Sequence, residues 1–279
     1  MPSNAAAVLL GLASAASWGA GDFTGGLASK RSPVLGVLAL GQAAGVTLIV
    51  ALALLLREAS PTRAAFAWSV AAGASGAIGL AALYRGLAMG RMAVVAPLSA
   101  VLSATIPVAW SATVEGVPPP SKIVGFALAL AGIWLIARAG PSGESRDGLG
   151  LALLAGCGFG GFLVLMDRGA QGGTFWPLVA ARGTSLALAL AVAAVRRRPW
   201  APARSAAPLV VLSGALDAGG NAFFILAAQA GRLDVAAVLS SMYPASTVLL
   251  AAGLLRERVS RPQGAGIVAV LGAIALIAG

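Results

Sequence analysis

Two charged side chains lie deep inside apolar stretches of this sequence. Arg182 comes seven residues after Phe175, where one apolar run begins, which corresponds to about 10 Å along a helix. Asp217 comes eleven residues after Ala206, in the next run, which would cross in the opposite direction, so the two charges are expected at nearly the same level. A charge at this depth of a bilayer costs about 2.5–3.5 kcal/mol on insertion scales. We therefore expect Arg182 and Asp217 either to pair as a buried structural ion pair or to face a watery cavity that binds a polar solute.

Three more residues are candidates for the same site. Asn221 follows Asp217 by one helical turn and therefore shares its face. Tyr243 precedes Pro244, whose missing N–H frees a carbonyl near the middle of a span. Gln42 lies at a comparable depth in the second apolar run. For Asn221, Tyr243 and Gln42, lining a cavity and ordinary hydrogen bonding between helices are equally good interpretations.

Other polar and aromatic residues are expected near the membrane surfaces. Asp22 lies close in sequence to Lys30 and Arg31, so snorkelling or a surface ion pair is the favoured interpretation. Three tryptophans are expected in the interfacial belts, namely Trp68, Trp110 and Trp176.

The elements that must position these residues are long apolar segments. Hydrophobic residues make up 59% of the 279 residues and charged residues only 10%, whereas an average soluble domain has roughly 25% charged residues. The mean hydropathy is +0.91. Most of the apolar runs are near the ~20 residues that a helix needs to cross a bilayer. Continuous runs argue against a membrane β-barrel, whose strands alternate with period two. The sequence therefore predicts an all-α membrane protein with about ten transmembrane helices.

The ten predicted spans fall into two series. The first series is 4–27, 34–56, 64–89, 92–114 and 123–137, and the second is 149–166, 175–195, 206–230, 235–255 and 263–278. Each series closes on a short segment, which marks either a broken helix at a binding site or close packing of Gly and Ala. Packing is the favoured interpretation, because both segments are rich in small residues.

Several function classes are disfavoured by the composition. The formal charge of +10 comes from basic residues that sit mostly in short loops, where they anchor loops at lipid headgroups rather than form a nucleic-acid surface. The sequence has no His and a single Cys, Cys157, so a thiolate cluster or a His-ligated zinc site is not expected. It also lacks the GxxxxGK[ST] motif of ATP hydrolysis. We expect no enzyme activity, no metal and no cofactor.

The two series match each other at a constant offset. Trp18-Gly19 corresponds to Phe159-Gly160, Gly90-Arg91 to Gly231-Arg232, and Leu98-Ser99 to Leu239-Ser240, each pair 141 positions apart. Because each unit has an odd number of spans, the second unit enters the membrane in the opposite orientation. The sequence thus predicts two inverted five-helix repeats, residues 1–138 and 149–279, joined by a polar linker at 139–148. Such repeats allow a protein to open alternately to either side of the membrane.

These features resemble the drug/metabolite transporter superfamily, and its EamA family in particular. The resemblance covers essentially the whole chain. It includes Trp18-Gly19 in the first helix and the segments 83–116 and 223–260, where Pro97, Pro107, Pro244, Glu115 and Glu257 occupy the places of the family's Pro and Glu residues. The resemblance implies a secondary transporter in a bacterial inner membrane, commonly an exporter of amino acids or other small metabolites. It also places Trp18 toward a central cavity, although a packing role is equally good.

Orientation, energy source and alternative functions stay open at this stage. Most Lys and Arg fall in the odd-numbered connections, so the positive-inside rule puts both termini outside the cytoplasm, whereas the family resemblance implies both inside and is favoured here. Asp217 is the best candidate for carrying a coupled proton, because burial raises a carboxylate's affinity for protons unless Arg182 offsets it. The alternative to solute transport is a lipid-handling or structural membrane protein. The sequence does not determine the oligomeric state.

Overall fold

The computed structural model describes residues 4–88, 92–137, 149–196, 203–256 and 258–278. Every regular element in these ranges is helical. The helices of the first half are α1 (Asn4–Ser29), α2 (Val34–Leu55), α3 (Arg63–Ala88), α4 (Met92–Val114) and α5 (Pro120–Ala137). Those of the second half are α6 (Leu149–Gly169), α7 (Phe175–Arg196), α8 (Ala207–Ala230), α9 (Leu233–Ser240), α10 (Tyr243–Leu255) and α11 (Arg261–Ala278), with a 3₁₀ turn at Arg204–Ala206 before α8.

The helices have the length and composition of membrane spans. Seven described segments are long and apolar enough to cross a bilayer, and three shorter apolar helices accompany them at 98–114, 120–136 and 261–277. The predicted all-α membrane architecture is therefore confirmed, with seven candidate spans and three shorter apolar helices in the described ranges.

The ninth span is not the continuous helix predicted for 235–255. It consists of α9 and α10, which are separated at Ser241 and Met242. Pro244 lies in the first turn of α10, where its missing N–H is tolerated and where it cannot continue the ladder of α9. The break places Tyr243 at the start of a helix near the middle of the span.

The two shortest spans, α5 and α11, pack directly on each other. A Cβ on Gly132 would lie 2.8 Å from the Gly266 carbonyl oxygen, and a Cβ on Gly266 would lie 2.7 Å from that of Gly132. Neither position has room for a side chain, so the small residues serve close backbone approach. Each of α5 and α11 is one uninterrupted helix, which agrees with the packing interpretation and not with a broken helix.

Contacts between the two halves recur in pairs. Helix α1 packs along α8, and α3 packs along α6. A Cβ on Gly220 would meet the ring of Trp18, and a Cβ on Gly79 would meet Phe159. Trp18 and Phe159 are 141 positions apart, as are Gly79 and Gly220. The offset found in the sequence thus relates two separate interhelical contacts.

The connections fall on two ends of the bundle. We call the end that carries residues 56–62, 115–119, 170–174 and 231–232 the terminal end, because α1 begins there with Ala7 against Gly231. At the opposite end the α1–α2 and α7–α8 connections meet, where Ala203 N donates to Ser32 Oγ over 2.9 Å. The spans therefore cross the bundle in alternating directions.

Some sequence predictions fall outside the described residues. These are the linker at 139–148, the repeat match at Gly90-Arg91 and the family position Glu257. The side chain of Pro97 is likewise outside them.

Candidate functional site

Arg182 and Asp217 form an ion pair between α7 and α8. Arg182 Nη1 donates to Asp217 Oδ2 over 2.7 Å. The Arg182 side chain is 5% exposed, whereas that of Asp217 is 45% exposed. Of the two arrangements predicted from the sequence, the pair is formed, yet the neighbouring helices leave its acidic member partly uncovered. Such a pair holds the cation in place while the carboxylate stays accessible to a solute.

The Arg182 guanidinium lies against α2 at Gly45. A Cβ on Gly45 would be 2.9 Å from both Cζ and Nε of Arg182, so only glycine leaves room for the guanidinium. Among the described residues, buried Nε and Nη2 of Arg182 have no hydrogen-bond partner. A buried hydrogen-bond donor without a partner lowers stability by roughly 1–3 kcal/mol. The unpaired Nε and Nη2 groups therefore carry a free-energy cost that stability alone does not explain.

Asn221 and Gln42 take different positions relative to the pair. Asn221 Nδ2 donates to the Asp217 carbonyl oxygen of its own helix over 2.9 Å, and the residue is 7% exposed. The expected shared face is present, but this amide is used within α8. Gln42 lies one turn before Gly45 on α2, and its buried Oε1 has no partner within the described part of the chain. Its role as a cavity-lining residue stays a prediction.

Trp18 and Tyr243 belong to one aromatic group. The Trp18 ring stacks on Phe224 with centroids 6.2 Å apart and meets Tyr243 edge-on at 6.3 Å. Gly220 makes this possible, because a Cβ there would lie 2.7 Å from Trp18 Nε1. The break between α9 and α10 brings Tyr243 to the side of α1. The two aromatic residues predicted for the site are thus in contact, and their roles toward a solute stay predictions.

The sequence favoured a position for Asp22 at a membrane surface, but the structure does not place it there. Residues Ser14 and Ser17 donate to carbonyls of α8, and Gly19 packs on α10. At about 100° per residue, Trp18 and Asp22 lie on the arc of α1 between these two faces, toward the interior of the bundle.

The interior position of Asp22 is supported by its neighbours. Its carboxyl group interacts electrostatically with Asp217 and with Tyr243. The preceding residue, Gly21, packs on α8, because a Cβ on Gly21 would lie 3.3 Å from the backbone nitrogen of Asp217. Asp22 is nevertheless exposed, so its carboxyl group is not covered by the neighbouring helices. The nearby charges of Lys30 and Arg31 made a surface position the favoured interpretation for Asp22. That interpretation is wrong because the packing of α1, which sets the rotation of the helix, turns Asp22 toward the interior of the bundle.

Glu58 caps helix α7, which carries Arg182. Its carboxylate accepts hydrogen bonds from the backbone N–H groups of Thr174, Phe175 and Trp176. Its carbonyl oxygen also accepts from Trp176 Nε1 over 3.1 Å. A carboxylate at a helix N-terminus satisfies orphan donors and the helix dipole. The partner residues lie more than 110 positions away in sequence, so no local pattern could reveal this cap.

A second charged group ties other connections together at the terminal end. Arg232 Nη2 donates over 2.7 Å both to Asp234 Oδ2 and to the Gly116 carbonyl oxygen. The Glu115 carboxylate lies 3.8 Å from Arg232 Nε and accepts from Leu233 N. Asp234 is fully buried, and its hydrogen bond raises the pKa of the Arg232 guanidinium. Glu115, which fills a family position, thus serves this cluster.

Two cavities lie at the terminal end, away from the ion pair. One, of about 490 Å³, is lined by Trp68, Trp110 and Arg168 among others, and the Arg168 guanidinium carbon is 5.4 Å from the Trp110 ring centroid. The other, of about 530 Å³, is lined by Asp167, Gln229 and the α6–α7 connection. Neither contains a residue of the predicted site. Within the described ranges, no three His, Cys, Asp or Glu side chains are grouped to hold a metal ion.

Comparisons with known proteins agree with this architecture. Residues 146–279 match the model of the EamA-like transporter family. A protein of known crystal structure is similar to this chain with a TM-score of 0.76 and 21% sequence identity, over 98% of this chain and 96% of its own. At this identity the likeness shows the fold. No curated protein matches this chain.

Proposed function

We propose that this membrane protein is a secondary transporter, because residues 146–279 match the model of the EamA-like transporter family. It exports a small polar or amphipathic metabolite, such as an amino acid, by alternating access. We further propose that it works in a bacterial inner membrane. The proteins of this family are transporters and not enzymes. Their location in a membrane agrees with the apolar helices of this chain.

The observation that carries the proposal is the half-exposed ion pair among spanning helices. Ions in a bilayer interior are costly and mark solute or ion pathways. Arg182 is buried against Gly45, but Asp217 is open and interacts electrostatically with Asp22, which in turn interacts with Tyr243 beside Trp18. This combination of one open carboxylate and aromatic surface suits a small solute with polar and apolar parts. A structural or lipid-handling protein would have no need for an open carboxylate at this depth.

Alternating access is supported by the pairing of contacts between the halves. The Trp18–Gly220 and Phe159–Gly79 contacts correspond at the same offset, as expected for two inverted units at 1–138 and 149–279. Two such units have two arrangements of similar energy, each open to one side. Asp217 remains the proposed proton carrier, and export is the proposed direction.

Substrate efflux from proteoliposomes tests the proposal. Amino acids and related radiolabelled metabolites are loaded inside, and efflux and counterflow are measured with and without a pH gradient. Asp217→Asn and Arg182→Ala are expected to reduce flux at least tenfold, because each leaves the other charge unpaired. Arg204→Ala, which removes a cation from the exposed 3₁₀ turn before α8, is the matched control and is expected to leave flux unchanged.

Folding is monitored in the same samples by gel filtration and thermal unfolding. Folded Asp217→Asn and Arg182→Ala variants that both transport like the unmodified protein would remove the pair from the transport site. A substrate flux that does not change with an imposed pH gradient would contradict proton coupling but would not contradict the transport function.

A further inference from the structure

The interior site contains one carboxylate more than it has cations. Arg182 and Asp217 neutralise each other across 2.7 Å. Helices α2, α8 and α10 surround this region, and in their described residues the ionisable side chains are Asp217 and Tyr243. Asp22, on α1, therefore leaves a formal surplus of one negative charge. An ionised carboxylate among spanning helices is costly without a partner, and a positively charged ligand would remove that cost.

The walls beside Asp22 are aromatic. Trp18 lies one turn before Asp22 on the same face of α1, and Tyr243 interacts electrostatically with the Asp22 carboxyl group. The Trp18 and Tyr243 rings meet edge-on at 6.3 Å. Aromatic faces attract ammonium groups, most strongly when water is excluded. A carboxylate with two such rings forms a recognisable site for an organic cation.

Arg182 supplies an independent sign of a ligand. Its side chain is 5% exposed, and among the described residues neither Nε nor Nη2 has a hydrogen-bond partner. These unused donors lie against Gly45 of α2, on the guanidinium that holds the open Asp217 carboxylate. A molecule with both an ammonium group and an oxygen acceptor satisfies both parts of the site.

We propose that Asp22 selects substrates that carry a protonated primary amine, with the ammonium group held between the Asp22 carboxylate and the rings of Trp18 and Tyr243. The inference rests on the proposed transport function and adds its charge requirement. An oxygen acceptor on the substrate, such as an amino acid carboxylate, adds affinity through Arg182 but is not obligatory. An anion without an amine is rejected, because it would face two carboxylates.

A series of probes that share a phenyl ring and differ in charge tests this requirement. The probes are phenylalanine, protonated 2-phenylethylamine, neutral 3-phenylpropanol and anionic 3-phenylpropionate. Their binding to the purified full chain in lipid nanodiscs is measured by titration calorimetry at neutral pH. Both amines are expected to bind at least tenfold more tightly than 3-phenylpropionate. Equal binding of amine and anion, including undetectable binding of both at millimolar concentration, would overturn the inference.

A pair of matched variants locates the requirement. Asp22→Asn is expected to weaken 2-phenylethylamine binding about tenfold and to reduce the preference for the amine over 3-phenylpropanol. Asp167→Asn makes the same chemical change at the terminal end of α6 and is expected to change neither. Amine affinity that survives in a folded Asp22→Asn variant would overturn the role of Asp22. The charge series on the unmodified protein decides the amine requirement even if this variant does not fold.

The outcomes separate this inference from the proposed function. Amines that bind with the expected preference but are not moved across proteoliposomes would contradict transport and support the site. Metabolite flux that is indifferent to an amine on the solute and to Asp22→Asn would support transport and contradict the site.

Discussion

Gly45→Ala is the smallest change that should disturb the Arg182–Asp217 pair without altering either member. A Cβ at position 45 would lie 2.9 Å from Cζ and Nε of Arg182, whereas carbon contacts are normally about 3.5–4.0 Å. The guanidinium must therefore move by about 1 Å. Helix α2 cannot retreat freely, because its Gly41 already packs on the backbone of Gly214.

The energetic effect follows from the length of the ion pair. Extending the contact from 2.7 Å by about 1 Å at an effective dielectric constant of about 20 weakens the attraction by about 1.5–2 kcal/mol. Solvent at the half-exposed Asp217 side chain reduces this effect. We expect roughly a tenfold loss of proteoliposome efflux in Gly45→Ala. The matched control is Gly253→Ala on α10, where a Cβ would meet nothing within 4 Å, and its flux should be unchanged.

A double-mutant cycle shows whether the added methyl group acts through Arg182. Once Arg182→Ala has removed the guanidinium, adding Gly45→Ala should cause no further loss, because the space is then free. Flux losses that simply add in the double variant, in protein that remains folded, would refute the reasoning. So would full activity of Gly45→Ala alone.

Three further predictions concern stability and are checked by thermal unfolding in detergent micelles. Glu58→Gln should destabilise the protein by about 1–2 kcal/mol, because a neutral amide is a weaker cap for α7; an unchanged melting temperature would contradict the cap. Arg232→Ala should lower the free energy of unfolding by about 3–5 kcal/mol, because it leaves the buried Asp234 carboxylate without its cation. Adding Asp234→Asn should restore part of that stability. A double variant no more stable than Arg232→Ala would argue against a charge effect. Gly132→Ala should cost about 1–3 kcal/mol by forcing α5 from α11, while Gly264→Ala, whose Cβ meets nothing within 4 Å, should cost little.

The sequence was sufficient to predict the apolar helices and to single out Arg182 and Asp217, but it left open whether these two residues pair or face a cavity. The ten apolar runs reflect a local requirement, since each segment must match the bilayer with its own residues. Arg182 and Asp217 were found for the same reason, because a charge in an apolar run is conspicuous wherever the run packs. Short motifs also indicated the resemblance to the EamA family, and residues 146–279 match the model of the EamA-like transporter family.

The rotation of each helix and its neighbours were decided only by the tertiary structure. In a soluble helix the apolar stripe reveals which face is buried, but here lipid-facing and protein-facing sides are both apolar. Nothing in the sequence around Asp22 therefore told whether it faces lipid headgroups or Asp217. Pro244 marks a weak point in the ninth span, but only the structure shows that α9 ends before it and that α9 and α10 both pack on α1.

The same limit applies to the contacts between distant connections. Glu58 meets the start of α7, and Arg232 meets Glu115, across more than 110 residues that only the folded bundle brings together. Hydrophobic length is a property of one segment, so the sequence determines it alone. The partners of a buried charge belong to several segments at once, so the assembled helices determine them.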